Sequence, residues 1–342
     1  MQAFELKESI YFYRSVLQRD LKTVMASLVG LDGSAYRKPG VRMLIAADGS
    51  MCGALSGGCV ENEIVASAQS VFKTGISKVI SYDGRYRLGC EGLLYILIEP
   101  FWLSDDDATE LLKQVDNRQP IKVTSKYKEG TTEVGNFHST FSVASARIAM
   151  QPNTLKPSEG EQLSVFKQII APAQHLIIVG AEHDAEKLCT NAALLGWDIT
   201  VVSSPKDPKT VQDFPGAKHI LAETPEAIDL SMIDAHTAIV LMTHNYALDL
   251  KFLLKLKDMD IPYIGILGSQ KRKTSLENQL LEFAPELRID FLEKLHSPAG
   301  LDIGAVTPEE IAVSILSEIV QLRQNTRKPS NANTTIVKST LS

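Results

Sequence analysis

The sequence predicts an α/β protein of two domains, the second a Rossmann-like, doubly wound parallel sheet. Three observations lead there. The 342-residue chain is longer than a single hydrophobic core usually serves. Its second half alternates short, continuously apolar runs with amphipathic helical segments, the pattern of buried parallel strands joined by crossover helices. Between the halves, Pro152, Pro157, Ser158 and Gly160 interrupt helix and strand alike. The expected division is a first domain over 1–150, a linker over 151–172, a Rossmann-like domain over 173–324 and a disordered tail over 325–342 that is rich in Asn, Thr and Ser.

The first domain opens with apolar residues at helical spacing over 5–18, including Ile10, Tyr11, Val16 and Leu17. Thr23 to Val29 reads as a strand. Val41 to Ala46 and Met51 to Leu55 flank Asp48-Gly49, a strong hairpin signal. Residues 61–73 place Ile64, Val65, Ala68, Val71 and Phe72 on one helical face, and Gly75 ends that helix. Leu93 to Ile98 is a further apolar strand, 105–115 is helical, and the loose alternation over 121–150 indicates peripheral strands.

In the second domain His175 to Gly180 is a continuous apolar strand, 186–195 a helix and Asp198 to Val202 the next strand, which together make a βαβ unit. Ala238 to Met242 and Tyr263 to Leu267 add parallel strands, with a helix over 248–257 between them. Thr307-Pro308-Glu309-Glu310 combines a capping box with proline at the first helical position, and launches a last helix to about Arg323.

Composition narrows the function. With 44% hydrophobic and 22% charged residues and a net charge of −6, the chain is of ordinary globular make-up, and its acidity argues against nucleic acid. Glu5, Lys7 and Glu8 break the N-terminal stretch that an export signal would need, and no apolar run approaches the roughly 20 residues of a membrane span. Four cysteines at irregular spacing do not form a disulfide framework, so a cytoplasmic location and no membrane partner are expected. A homo-oligomer is the default for such a protein. No Cys-x-x-Cys or close His pair accompanies the cysteines, and no metal site is expected.

Two cysteines lie in glycine-rich turns, Cys59 in Ser56-Gly57-Gly58-Cys59 and Cys90 in Gly89-Cys90-Glu91-Gly92. Glycine lets a backbone approach a ligand closely, and a thiol at a helix N-terminus ionises more readily than a free one. The N–H groups of Gly57, Gly58 and Cys59 suit an anion, with Arg37, Lys38 and Arg42 supplying charge. The alternative is a tight strand-to-helix turn with Cys59 packed in the core, and residue types alone leave both open. Core packing is the stronger reading for Cys52 and Cys189, within a strand and a helix.

In the second domain Gly180, His183 and His244 fall at C-terminal strand ends, where open α/β sheets bind ligands. An NAD(P)-dependent oxidoreductase is therefore one functional reading. Two features oppose it. Glu182 replaces the second glycine of a G-x-G-x-x-G/A turn and would repel a pyrophosphate, and the second strand ends in Ser203-Ser204 where an acid would hold the ribose.

Gly33-Ser34-Ala35-Tyr36-Arg37-Lys38-Pro39-Gly40-Val41-Arg42-Met43, followed by Ser56-Gly57-Gly58-Cys59-Val60-Glu61, resembles the N-terminal signature of the XdhC/CoxI family. Gly180-Ala181-Glu182-His183, Thr243-His244-Asn245, 263–269 and 295–304 are similar, in the same order, to that family's C-terminal Rossmann domain. The resemblance implies an N-terminal XdhC/CoxI-type domain and a maturation factor for molybdenum hydroxylases such as xanthine dehydrogenase and carbon monoxide dehydrogenase. It implies a non-catalytic chaperone that carries molybdenum cofactor (molybdopterin) as cargo, protects its sulfurated form and hands it to the apo-enzyme, with a cysteine desulfurase or sulfurtransferase as a further partner. The pterin phosphate would then meet the Gly57-Gly58 turn and Arg42, and its dithiolene and metal would meet Cys59 and Cys90. The family's Gly-Ala-Gly-His is Gly180-Ala181-Glu182-His183 here, and its Gly-Cys-Gly-Gly is Gly89-Cys90-Glu91-Gly92.

Overall fold

The computed structural model describes the chain except for Tyr36, 56–58, 84–91, Ser145, 152–162, 327–336 and 339–342. It divides into two units, one built on Met1–Pro172 and the other on Ala173–Pro329.

In order, the first unit contains α1 (Ala3–Leu17), β1 (Thr23–Asp32), β2 (Arg42–Ala46), β3 (Met51–Gly53), α2 (Cys59–Thr74), β4 (Ser77–Asp83), β5 (Leu93–Phe101), α3 (Asp105–Asp116), β6 (Ile121–Tyr127), β7 (Thr132–Gly135), β8 (His138–Val143), β9 (Ala146–Ala149) and β10 (Ser164–Ile170). Strands β3-β2-β1-β5-β4-β7 form one antiparallel sheet. Because side chains alternate along a strand, β1, β4 and β5 place apolar residues on both faces and serve two cores. Val24, Ala26, Met43, Ile45 and Ile96 meet Ile64, Ala68 and Val71 of α2. On the opposite face Val29, Val79 and Leu97 meet Tyr127, Phe137 and Phe166, which belong to or border the second sheet. Burying one such side chain is worth roughly 1.5–3 kcal/mol.

That second sheet, also antiparallel, has the order β17-β10-β6-β8-β9, where β17 is Val337–Lys338 near the C-terminus. The structure thus differs from the expected linker and tail. Ser164–Ile170 is a strand inside the span read as linker, with Phe166 and Ile170 buried, and the last helix runs to Thr326 before β17 pairs with β10. The prolines and glycine that mark a linker are confined to 152–160, whereas the apolar segment after them is one that the second sheet requires.

The second unit contains β11 (His175–Val179), α4 (His183–Leu194), β12 (Asp198–Ser203), β13 (His219–Ala222), β14 (Thr237–Leu241), α5 (Tyr246–Leu256), β15 (Tyr263–Ile266), α6 (Gln270–Phe283), α7 (Ile289–Glu293), β16 (Leu295–His296) and α8 (Pro308–Thr326). All six strands are parallel, in the order β13-β12-β11-β14-β15-β16. Numbered within the unit this is 3-2-1-4-5-6, the Rossmann order. Helices α4 and α8 cover one face, and α5, α6 and α7 cover the other. The predicted capping box forms: Glu310 N–H donates to Thr307 Oγ1 at 3.3 Å, and Thr307 N–H donates to Glu310 Oε2 at 3.0 Å. Among the described residues no helix is long and apolar enough to cross a membrane.

Candidate functional site

In the first unit the strand register gathers the motif loops at one end of a sheet. β1 ends at Asp32, opposite Leu93 where β5 begins, and Leu93 is in turn opposite Asp83 where β4 ends. β3 ends at Gly53 opposite Met43, next to the start of β2. The ends of β1, β3 and β4 and the starts of β2 and β5 therefore lie toward one end of the sheet. A Cβ on Gly92 would sit 2.6 Å from the Ser34 carbonyl oxygen, so at Gly92 the backbone runs close against that of Ser34, and only glycine allows that approach. Cys59 opens the 16-residue helix α2 at this same end, with Leu55 just before the turn fixed in the core at 2% exposure. Ser56, Gly57, Gly58 and Cys90 lie outside the described residues.

Arg42 occupies a place the motif did not foretell. Alternation along β2 sends Met43 and Ile45 toward α2 and Arg42 to the opposite face, where it is 4% exposed. Its Nη1 donates to the Gly40 carbonyl at 3.2 Å and to Gln168 Oε1 of β10. Its Nε and Nη2, and the Oγ of Ser27 opposite it on β1, have no hydrogen-bond partner among the described residues. Burial pulls the guanidinium down to about 10, against the opposing charge of Glu99. Arg42 thus pins the end of the Gly33–Gly40 loop from inside the unit. Arg37, on that loop, also has a buried Nε without a partner among the described residues.

Glu99 of β5 is fully buried on the same face of the sheet, and in the sequence it is one polar letter in an apolar strand that sequence reasoning passes over. Ser139 donates its N–H to Oε2 at 2.7 Å and its hydroxyl to Oε1 at 2.5 Å. Burial pushes the carboxyl up to about 7, and the Ser139 bonds and Arg42 oppose that rise. Of the cysteines read as packing residues, Cys189 is in the core and Cys52 is only half-buried; burial raises both thiols, Cys189 to about 11.

In the second unit Gly180 ends β11 with φ +120°, and a Cβ there would lie 2.3 Å from the Met242 carbonyl oxygen. This tight approach brings the ends of β11 and β14 together. His183 is the first residue of α4, and His244 follows β14 with φ +53°. Both are exposed; His244 Nε2 lies 3.9 Å from Asp184, and His183 Nδ1 lies 3.7 Å from Glu186. Among the described residues no cluster of His, Cys, Asp or Glu is arranged to hold a metal ion.

A cavity of about 200 Å³ opens at the ends of β11 to β14, lined by Gly180, Glu182, Ser203, Glu223, Thr243 and their neighbours. Beyond it, Thr243 donates to the buried Asp249 at 2.5 Å and Arg272 pairs with that carboxylate at 2.7 Å, which fixes the loop carrying His244. At the sheet edge Glu318 accepts from Tyr263 Oη at 2.7 Å and Gly300 N–H at 2.8 Å, and lies 2.8 Å from His296 Nδ1. Burial raises this carboxyl, but the three contacts outweigh burial and hold it below its usual value. Residues 295–304 are thereby tied to α8 by a glutamate that no motif contains.

Residues 176–319 match the XdhC Rossmann domain, and residues 16–83 match the XdhC and CoxI family. A Bacillus subtilis protein named as a probable xanthine dehydrogenase subunit is 31% identical over 326 residues, covering 91% of this chain and 96% of its own. The chain belongs to the XdhC and CoxI family. Another relative, the molybdenum cofactor insertion chaperone PaoD of Escherichia coli, is 24% identical over 301 residues, covering 88% of this chain and 83% of its own. Among solved structures, one described as a xanthine dehydrogenase from Bacillus halodurans superimposes with a TM-score of 0.75 at 27% identity, covering 95% of this chain and 98% of that one. The XdhC and CoxI match ends at residue 83, so it includes the Gly33–Gly40 loop and Cys59 and stops short of Cys90.

Proposed function

We propose that this chain is a maturation factor for molybdenum hydroxylases of the xanthine dehydrogenase or carbon monoxide dehydrogenase type. In this reading it binds molybdenum cofactor, protects the sulfurated form and delivers it to the apo-enzyme without turnover of its own. The observation that carries the reading is that β1, β3 and β4 end, and β2 and β5 begin, toward one end of one sheet, with Cys59 at the start of α2. The names of its relatives, one for xanthine dehydrogenase and one for molybdenum cofactor insertion, agree with it.

Each part of that end has a chemical use. The first N–H groups of α2 and the positive end of its dipole favour a phosphate and a thiolate. Thiolate sulfur is a fitting partner for a soft metal–dithiolene group, which assigns Cys59 the principal contact and Cys90 a second one. Arg42, buried beneath Gly40, acts by holding the loop that presents Arg37 and Lys38. Cytoplasmic residence, a homodimer and docking of a sulfurtransferase complete the proposal. The rival reading as an NAD(P)-dependent oxidoreductase is weakened by Glu182 in the cavity wall.

Reconstitution of a cofactor-free hydroxylase tests the role. Purified wild-type chain with molybdenum cofactor should activate the apo-enzyme well above cofactor alone, and Cys59→Ala should lose most of that gain. Equal activation by the two proteins would refute the role given to Cys59.

A further inference from the structure

The cavity of the second unit restores part of a nucleoside site that the sequence lacks. β12 ends in Ser203-Ser204, with no acid to hold a ribose. The fold supplies one from the neighbouring strand: Glu223, the residue after β13, donates its N–H to the Ser203 carbonyl at 3.2 Å and lines the same cavity. Its carboxylate makes no hydrogen bond or ion pair with any described residue, whereas Ser203 Oγ is already bonded to the Leu221 carbonyl at 3.3 Å. Glu223 is therefore a free acceptor at the place where Rossmann sheets hold ribose hydroxyls.

The phosphate side of the cavity is closed by charge. Glu182 stands at the turn into α4, where the helix dipole would otherwise attract a phosphate, and Asp207 adds a second carboxylate. Among the described residues no Lys or Arg lines the cavity; Lys209, whose N–H donates to Ser203 Oγ at 3.4 Å, is paired through its ammonium with Asp207 at 2.6 Å. Val179, Leu248 and Phe252 give an apolar wall for a ring, and a volume of about 200 Å³ is smaller than the usual ligand pocket.

We propose that the second unit binds a ribonucleoside that carries no phosphate, with Glu223 accepting from the ribose hydroxyls and Glu182 excluding nucleotides. Every residue that this reading uses belongs to the second unit.

Isothermal titration of the full chain with adenosine, 2′,3′-dideoxyadenosine, AMP and NAD+ tests it. Adenosine should bind saturably, and the dideoxy analogue, AMP and NAD+ should each bind at least about tenfold more weakly. Glu182→Gly should narrow the gap between AMP and adenosine, and Glu223→Gln should weaken adenosine but not the dideoxy analogue. Cys59→Ala should leave adenosine binding unchanged, which separates this claim from the maturation role. AMP or NAD+ binding to the wild-type chain as tightly as adenosine, or no saturable adenosine binding at about 1 mM, would overturn the proposal whether or not the variants fold.

Discussion

Glu99 and Glu318 are both buried or half-buried carboxylates, and they respond to pH in opposite directions. Glu99 is raised to about 7 by burial, so between pH 4.5 and 7 the unfolded chain ionises while the folded one keeps its proton. Stability associated with this group is thus full below pH 4.5 and falls as pH rises to about 7, by on the order of 3 kcal/mol. Glu99→Gln should therefore be more stable than wild type at pH 8, with the gain vanishing near pH 4.5 in urea unfolding. Glu318 is lowered, because contacts from His296, Tyr263 and Gly300 outweigh its burial, and its contribution is instead lost as pH falls. Glu318→Gln should cost stability at pH 7 and progressively less toward acid. A third residue tests backbone geometry: Gly180→Ala should lose about 1–3 kcal/mol in thermal unfolding, since φ +120° and the Met242 carbonyl both exclude a Cβ. Of these three positions only Gly180 draws notice in the sequence for what it does. Glu99 and Glu318 gain their roles from partners 40 and 18 residues away, which no local pattern shows.

At the scale of elements, legibility follows periodicity. The buried strands β11, β12, β14 and β15 and the amphipathic helices α2 and α5 are written in long apolar patterns, and the structure has them within a few residues of expectation. β4 escapes a sequence reading because Ser77, Lys78 and Ser81 dilute its alternation, and α6 because only Leu276 and Leu280 of its 14 residues are buried. β10 is hidden by the prolines before it. The α8 capping box is legible since its signal is local, and Thr307→Ala should lower the stability of the second unit by about 1 kcal/mol in denaturant unfolding. The motif turns are legible as separate segments holding Cys59, Cys90 and Arg37, while the gathering of the strand ends that flank them depends on strand register and needs the fold. The same is true of Glu223, which reaches the end of β12 from the strand beside it.

For the molecule as a whole, the two proposals give the units different work: cofactor binding to the end of an antiparallel sheet in the first, and nucleoside binding to an acidic cavity of a parallel sheet in the second. The family assignment spans both units, so the pairing belongs to the chain and not to a chance fusion of its halves. The role given to the first unit is open to direct chemical assay. Wild-type chain and Cys59→Ala are produced in cells that make molybdenum cofactor, purified without oxygen, and analysed for molybdenum and pterin per polypeptide. We expect molybdenum and pterin in equal amounts on the wild-type chain and a large loss of both from Cys59→Ala at unchanged folding. Equal cofactor content in the two proteins, or none in either, would overturn that role.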